Sequence, residues 1–180
     1  NRCLVGSEMC IRDSNNSYKV DSLATFMKLL TIGSGIFVML TSSKYIEINN
    51  INKMEYPILI LSSILGMMVM ISSNDLIVFY MGLELQSLAL YVLASFNREN
   101  LLSTESGLKY FVLSALSSGL LLYGCSLIYG FSGSTNFNII LDNSSSGQYG
   151  ITFGIVFILV GLAFKTVSYT HLRAHETPVN

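Results

Sequence analysis

Charge is scarce in this sequence. Asp, Glu, Lys and Arg make up 12% of its 180 residues, against about 25% in soluble domains. Hydrophobic residues make up 51%, and the mean hydropathy is +0.55. That balance points to a membrane protein with the lipid bilayer as its surroundings. The net charge of −1 points to neither a nucleic-acid partner nor a patch for acidic lipids. Tryptophan is absent, but ten Tyr and ten Phe supply aromatic side chains for the membrane interfaces. The cysteines, Cys3, Cys10 and Cys125, are too few and too scattered for a disulfide framework, and no CxxC is present. A cysteine-built metal or redox centre is therefore not expected. A Gly-rich dinucleotide turn following a strand is missing as well.

What is present is five long apolar runs. They cover about 23–46, 56–72, 75–96, 104–131 and 150–165. Each is near the roughly 20 residues that cross a hydrocarbon core as a helix, and far longer than a buried strand. Pro57 falls in the first turn of the second run, where a helix tolerates proline. The expected fold class is all-α: a polytopic membrane helix bundle of five spans joined by polar turns. The second and third runs are separated only by Ser72-Ser73-Asn74-Asp75, and the third and fourth by 97–103. The last connection, 132–149, is rich in Ser, Asn and Gly and reads as a loop. Lys44, Lys53 and Arg98 fall on one side of the membrane and Lys19 on the other. The positive-inside rule then places the first and third connections in the cytoplasm or matrix.

The two ends differ in character from the rest. Residues 1–14 and 167–180 hold six of the 21 full charges and both histidines. They read as non-native read-through and are set aside, leaving 15–166 as the transmembrane fragment. The start does not read as a secretory signal. His171 and His175 have the i, i+4 spacing of a metal-binding helix, but HLRAH lacks the Glu that a zinc-hydrolase helix carries after its first His.

Ionisable residues inside the apolar runs are the candidate functional groups. An ionised side chain at the bilayer centre costs roughly 2.5–3.5 kcal/mol even on insertion scales. Glu84, in GLELQSLALY, sits mid-run. With Tyr80, Ser87, Tyr91 and Ser95 it forms a polar stripe on one helical face. That face should look into the bundle. Glu84 is read either as a proton-carrying group or as a neutral, hydrogen-bonded fastener between helices. Lys109 lies one and a half turns into the fourth run. It is read as a partner that reaches toward Glu84 through one or two waters, or as half of an i, i+4 pair with Glu105. Lys165, closing the fifth run, reads on its own as a snorkelling anchor, as does Lys28. Burial disfavours both charged forms while mutual attraction favours both, so changing a Glu–Lys separation moves proton affinity.

Three runs, GLELQSLALY, GLKYFVLSALSSG and ILVGLAFK, occur in this order and spacing. With EYPILILSSILGMMVMISSNDL upstream they resemble the subunit 2 family of proton-pumping NADH:ubiquinone oxidoreductase, respiratory complex I. The resemblance spans about 21–165. It implies an antiporter-like subunit of the membrane arm, built on inverted repeats of five helices with a broken helix in each. It also implies a proton-translocation role for Glu84, Lys109 and Lys165, so Lys165 changes from anchor to site residue. Beyond Lys165 the family continues through a proline break, whereas Thr166 onward reads TVSYTHLRAHE. The sequence is accordingly read as a partial chain ending in the first repeat. The resemblance implies no cofactor on this chain: FMN, iron–sulfur clusters and ubiquinone belong to partner subunits. The partners it implies are the other membrane-arm subunits. Rival assignments are a subunit of a related cation/proton antiporter or membrane-bound hydrogenase, and a purely structural scaffold. Abundant Ile, Ser, Asn, Phe and Tyr suggest an organellar gene and the mitochondrial inner membrane, with a bacterial plasma membrane as the alternative.

Overall fold

The structure is a computed structural model. It describes residues 17–48, 54–96, 101–144 and 149–174, of which 43–48, 143–144 and 167–174 as backbone only. Six helices form in order: α1 (Ser22–Ile48), α2 (Glu55–Ser72), α3 (Leu76–Ala94), α4 (Leu101–Ser132), α5 (Phe137–Ser144) and α6 (Tyr149–Ala174). All but α5 are long and apolar enough to cross a membrane. The described residues contain no β-strand beyond isolated bridges. Four of the five apolar runs each fall within one of these long helices, and the third, 75–96, overruns α3 by one residue at its start and two at its end.

The sequence reading differs from the structure in two places. The Ser/Asn/Gly-rich connection contains α5. Asn136 starts it by accepting a hydrogen bond from Asn138 N at 3.0 Å, as a helix-capping side chain does. Ile140, one turn on, is 9% exposed in the core. Composition concealed this helix; the signal that could have found it is Asn136 followed by Ile139 and Ile140 at i+3 and i+4. The backbone of α6 also stays helical past Thr166 to Ala174. Lys53, Arg98 and the read-through expectation for 1–14 lie outside the described residues. So do the side chains of Lys44, His171 and His175.

Two helix pairs are joined backbone to backbone. A Cβ placed on Gly66 of α2 would lie 2.7 Å from Gln86 N of α3, and one on Gly82 would lie 2.8 Å from Met70 N. A Cβ on Gly124 of α4 would lie 2.8 Å from the Gly154 carbonyl of α6. In lipid, where no hydrophobic effect drives helices together, missing side chains let backbones approach and gain dispersion contact. Both pairs run antiparallel.

One end of the bundle is tied by backbone hydrogen bonds. Lys19 N donates to Ser72 O at 2.9 Å, Asn74 N to Ser17 O at 2.8 Å and Leu76 N to Thr135 O at 2.9 Å. Asp75 caps α3 by accepting from Ile77 N at 2.9 Å, and its other oxygen accepts from the Thr135 hydroxyl at 2.6 Å. The chain turns sharply out of α4 through Gly133, whose φ of +72° suits a residue without a side chain. Just inside this tied end, Leu76, Leu121, Cys125, Ile128 and Ile140 form an apolar cluster, with Tyr80, Leu83 and Phe137 packed against it.

Candidate functional site

The polar stripe of α3 turns inward. Ser87 and Tyr91 are buried, and Tyr80, Glu84 and Ser95 are partly so. Glu84 is the ninth residue of α3, about 12 Å from its start. Beneath the apolar cluster it meets two neighbours. The Lys165 ammonium of α6 lies 2.6 Å from Glu84 Oε1. The Ser118 hydroxyl of α4 donates to the same oxygen. Lys165 Nζ also reaches Ser87 Oγ at 3.4 Å. The Ser87 hydroxyl donates to the Leu83 carbonyl at 2.8 Å. The side chains of Lys165 and Glu84 retain only 10% and 21% of their exposure. Three helices therefore enclose one ion pair, set against the middle of α3, whose members are 81 residues apart in the chain.

Two turns along α3, away from the tied end, a second polar contact crosses to α4. The hydroxyls of Tyr91 and Ser114 share a hydrogen bond. The Tyr91 ring packs edge-on against Tyr110 and Phe111, at centroid distances of 4.7 and 5.8 Å. Ser117, 1% exposed, donates to the Ser114 carbonyl at 2.8 Å. Polar groups thus continue from Glu84 toward the α3–α4 connection. On the opposite side the apolar cluster closes the way.

Lys109 is placed apart from Glu84. Its ammonium lies 2.5 Å from Glu105 Oε1, with both side chains about half exposed. Ser118, which touches Glu84, is nine residues further along α4. Nine residues amount to about 13 Å of rise and about half a turn of rotation, so Lys109 points out of the opposite face of α4. The structure thus gives Lys109 the i, i+4 pairing, and the basic group beside Glu84 is Lys165. The anchor reading of Lys165 is corrected as well: the residue is 9% exposed and ion-paired. Its partner comes from a distant segment, so local sequence carried no signal for the contact, and only the family resemblance singled it out. Ser118 was visible as a small polar residue, but not as the hydroxyl that donates to Glu84. Among the described residues, no three His, Cys, Asp or Glu side chains come together as a metal site.

Residues 73–171 match the family described as NADH:quinone oxidoreductase/Mrp antiporter, transmembrane. Over 151 residues the chain is 75% identical to NADH-quinone oxidoreductase subunit N of Pelagibacter ubique. It is 55% identical over 152 residues to the subunit N of Maricaulis maris. In both cases 84% of this chain aligns with 32% of the relative, so the chain spans about a third of the length of the curated relatives it matches. Among solved structures it resembles a chain of respiratory complex I from Thermus thermophilus with bound aureothin. There the TM-score is 0.68 and the identity 31%, over 84% of this chain and 32% of that one. It also resembles a chain of the membrane-bound sulfane sulfur reductase, an archaeal respiratory membrane complex. That match has a TM-score of 0.57 and 28% identity over 60% of this chain and 22% of the other. Both named relatives are bacterial. The mitochondrial expectation thus loses its support: amino-acid bias follows the nucleotide composition of a gene, which organelles and bacteria can share.

Proposed function

We propose a role for this chain, which belongs to the NADH:quinone oxidoreductase/Mrp antiporter transmembrane family. It forms part of a membrane-arm subunit of a proton-translocating NADH:quinone oxidoreductase, and its Glu84–Lys165 pair is a station where a proton is held and released. The observation that carries this reading is the 2.6 Å contact between the two charges, largely removed from solvent beside the middle of α3. Its setting is a bacterial plasma membrane, in keeping with the relatives' organisms. Its partners are other membrane-arm subunits. FMN, iron–sulfur clusters and ubiquinone reside on partner subunits.

The chemistry follows from the geometry. With the Lys165 ammonium in place, Glu84 is stabilised as a carboxylate. Withdrawing the ammonium strands a buried charge at a cost of several kcal/mol, and the carboxylate then binds a proton. Returning the ammonium expels it. The Ser118 hydroxyl fixes one carboxylate oxygen, and Ser87 offers an oxygen to the ammonium. The proton arrives from the side of Ser114 and Tyr91, because the apolar cluster blocks the other. Lys109, facing out of α4 and paired with Glu105, is a separate station.

The same pair also fastens α3 to α6, so a purely structural role is the rival reading. Glu84→Gln in the full-length subunit, within the assembled complex, separates the two. The expected result is normal assembly with most proton translocation per NADH oxidised lost. Unchanged pumping overturns the proposal, and loss of assembly favours the fastening role.

A further inference from the structure

Away from the ion pair, a groove of about 630 Å³ runs between α1 and α2. The helices are antiparallel, so the Lys28 end of α1 lies beside the Ser72 end of α2, and Met39 lies toward Leu61. From Lys28 to Met39, and from Leu61 to Ser72, the helices rise by about 16 Å. That matches the depth of a single leaflet, half of a hydrocarbon core about 30 Å thick. The groove is graded along this length. Tyr18, Lys28 and Ser72 line the end near the tied turn, and the walls beyond are apolar, Ile36 among them.

Two groups at the polar end lack partners. Ser72 is 6% exposed, and its hydroxyl has no hydrogen-bond partner among the described residues. Lys28 has no ion pair among them either; Asp21, the carboxylate nearest in sequence, is 3.2 Å from Lys19. A buried hydroxyl without a partner costs free energy, and an ammonium over an apolar slot attracts an anion. We propose that this groove binds an anionic phospholipid, its phosphate at Lys28 and Ser72 and one acyl chain along the slot. The proposal is independent of the proton-station reading.

The test places the photoreactive residue p-benzoylphenylalanine at position 36 of the full-length subunit in the assembled complex. The complex is reconstituted in vesicles of phosphatidylglycerol or of phosphatidylcholine, and the adducts are identified by mass spectrometry. The expected phospholipid adduct is about fivefold more abundant with phosphatidylglycerol, the ratio corresponding to one lysine at an anionic lipid surface. Lys28→Gln should abolish that preference. Equal yields from both lipids in the parent protein, a preference unchanged by Lys28→Gln, or adducts with another polypeptide in place of lipid would each overturn the proposal.

Discussion

The contacts within the α2–α3 and α4–α6 pairs differ in kind from those across the α3–α4 seam that joins the pairs. Within each pair, glycines bring the two helices close enough for backbone to meet backbone, at Gly66 and Gly82 in one and at Gly124 in the other. Across the seam, side chains make the connection: Glu84 with Ser118, Tyr91 with Ser114, and the Ser103 hydroxyl with the Ala94 carbonyl at 2.9 Å. Glycine contacts have one good geometry and lose dispersion steeply when separated. Hydroxyls and carboxylates can exchange partners at modest cost. Glu84 rides on one pair and Lys165 on the other. The titratable contact therefore sits where the molecule is adaptable, and the glycine contacts sit where it must stay fixed.

The largest expected effect comes from unbalancing the polar seam. Lys165→Ala strands the Glu84 carboxylate and should destabilise the bundle by about 3–5 kcal/mol, read as lower thermal stability of the complex. Adding Glu84→Gln to Lys165→Met should restore much of that stability while leaving proton translocation lost, because no unpaired charge remains. A double variant as unstable as Lys165→Ala would show that the seam depends on the pair's packing and not on its charge.

Gly82→Val tests the other side of the comparison. The added carbons collide with the α2 backbone at Met70, and overpacking costs about 1–3 kcal/mol. No conservative residue should rescue it, since even a Cβ is too close. If Gly82→Ala proves neutral in thermal melts, the α2–α3 contact is softer than its geometry implies. Tyr91→Phe removes a neutral hydroxyl and leaves Ser114 to find another partner. About 0.5–1.5 kcal/mol of stability should go, with a slower proton-transfer rate at unchanged assembly as the sharper readout. Lys109→Gln should have the least effect on stability, because its pair with Glu105 is exposed. A measurable fall in thermal stability would mean that the outward face of α4 is packed in the assembled complex.

Sequence alone took the fold a long way. Span length and hydropathy suffice for helices in lipid, where every backbone group must pair within its own segment. The inward face of α3 was legible too, since Glu84, Ser87 and Tyr91 recur at helical spacing. Periodicity describes one helix at a time, so it identified Glu84 but not its partner. Lys165 looked like an end-of-helix anchor by its local setting, and Lys109 looked nearer by chain order. Only the antiparallel packing of α4 on α6, set by Gly124 and Gly154, carries Lys165 across to Glu84. The short α5 escaped notice because its four apolar residues sit within a connection otherwise rich in Ser, Asn and Gly.

The knot of backbone hydrogen bonds at the Asp75 end has a mechanical consequence. It clasps one end of α3, and the Ser103 hydroxyl on the Ala94 carbonyl at 2.9 Å clasps the other. Glu84 lies about 12 Å along α3 from the first clasp and about 15 Å from Ala94. A rod held at both ends bows most near its middle, so the ionic contact occupies the stretch of α3 with the greatest freedom to bend.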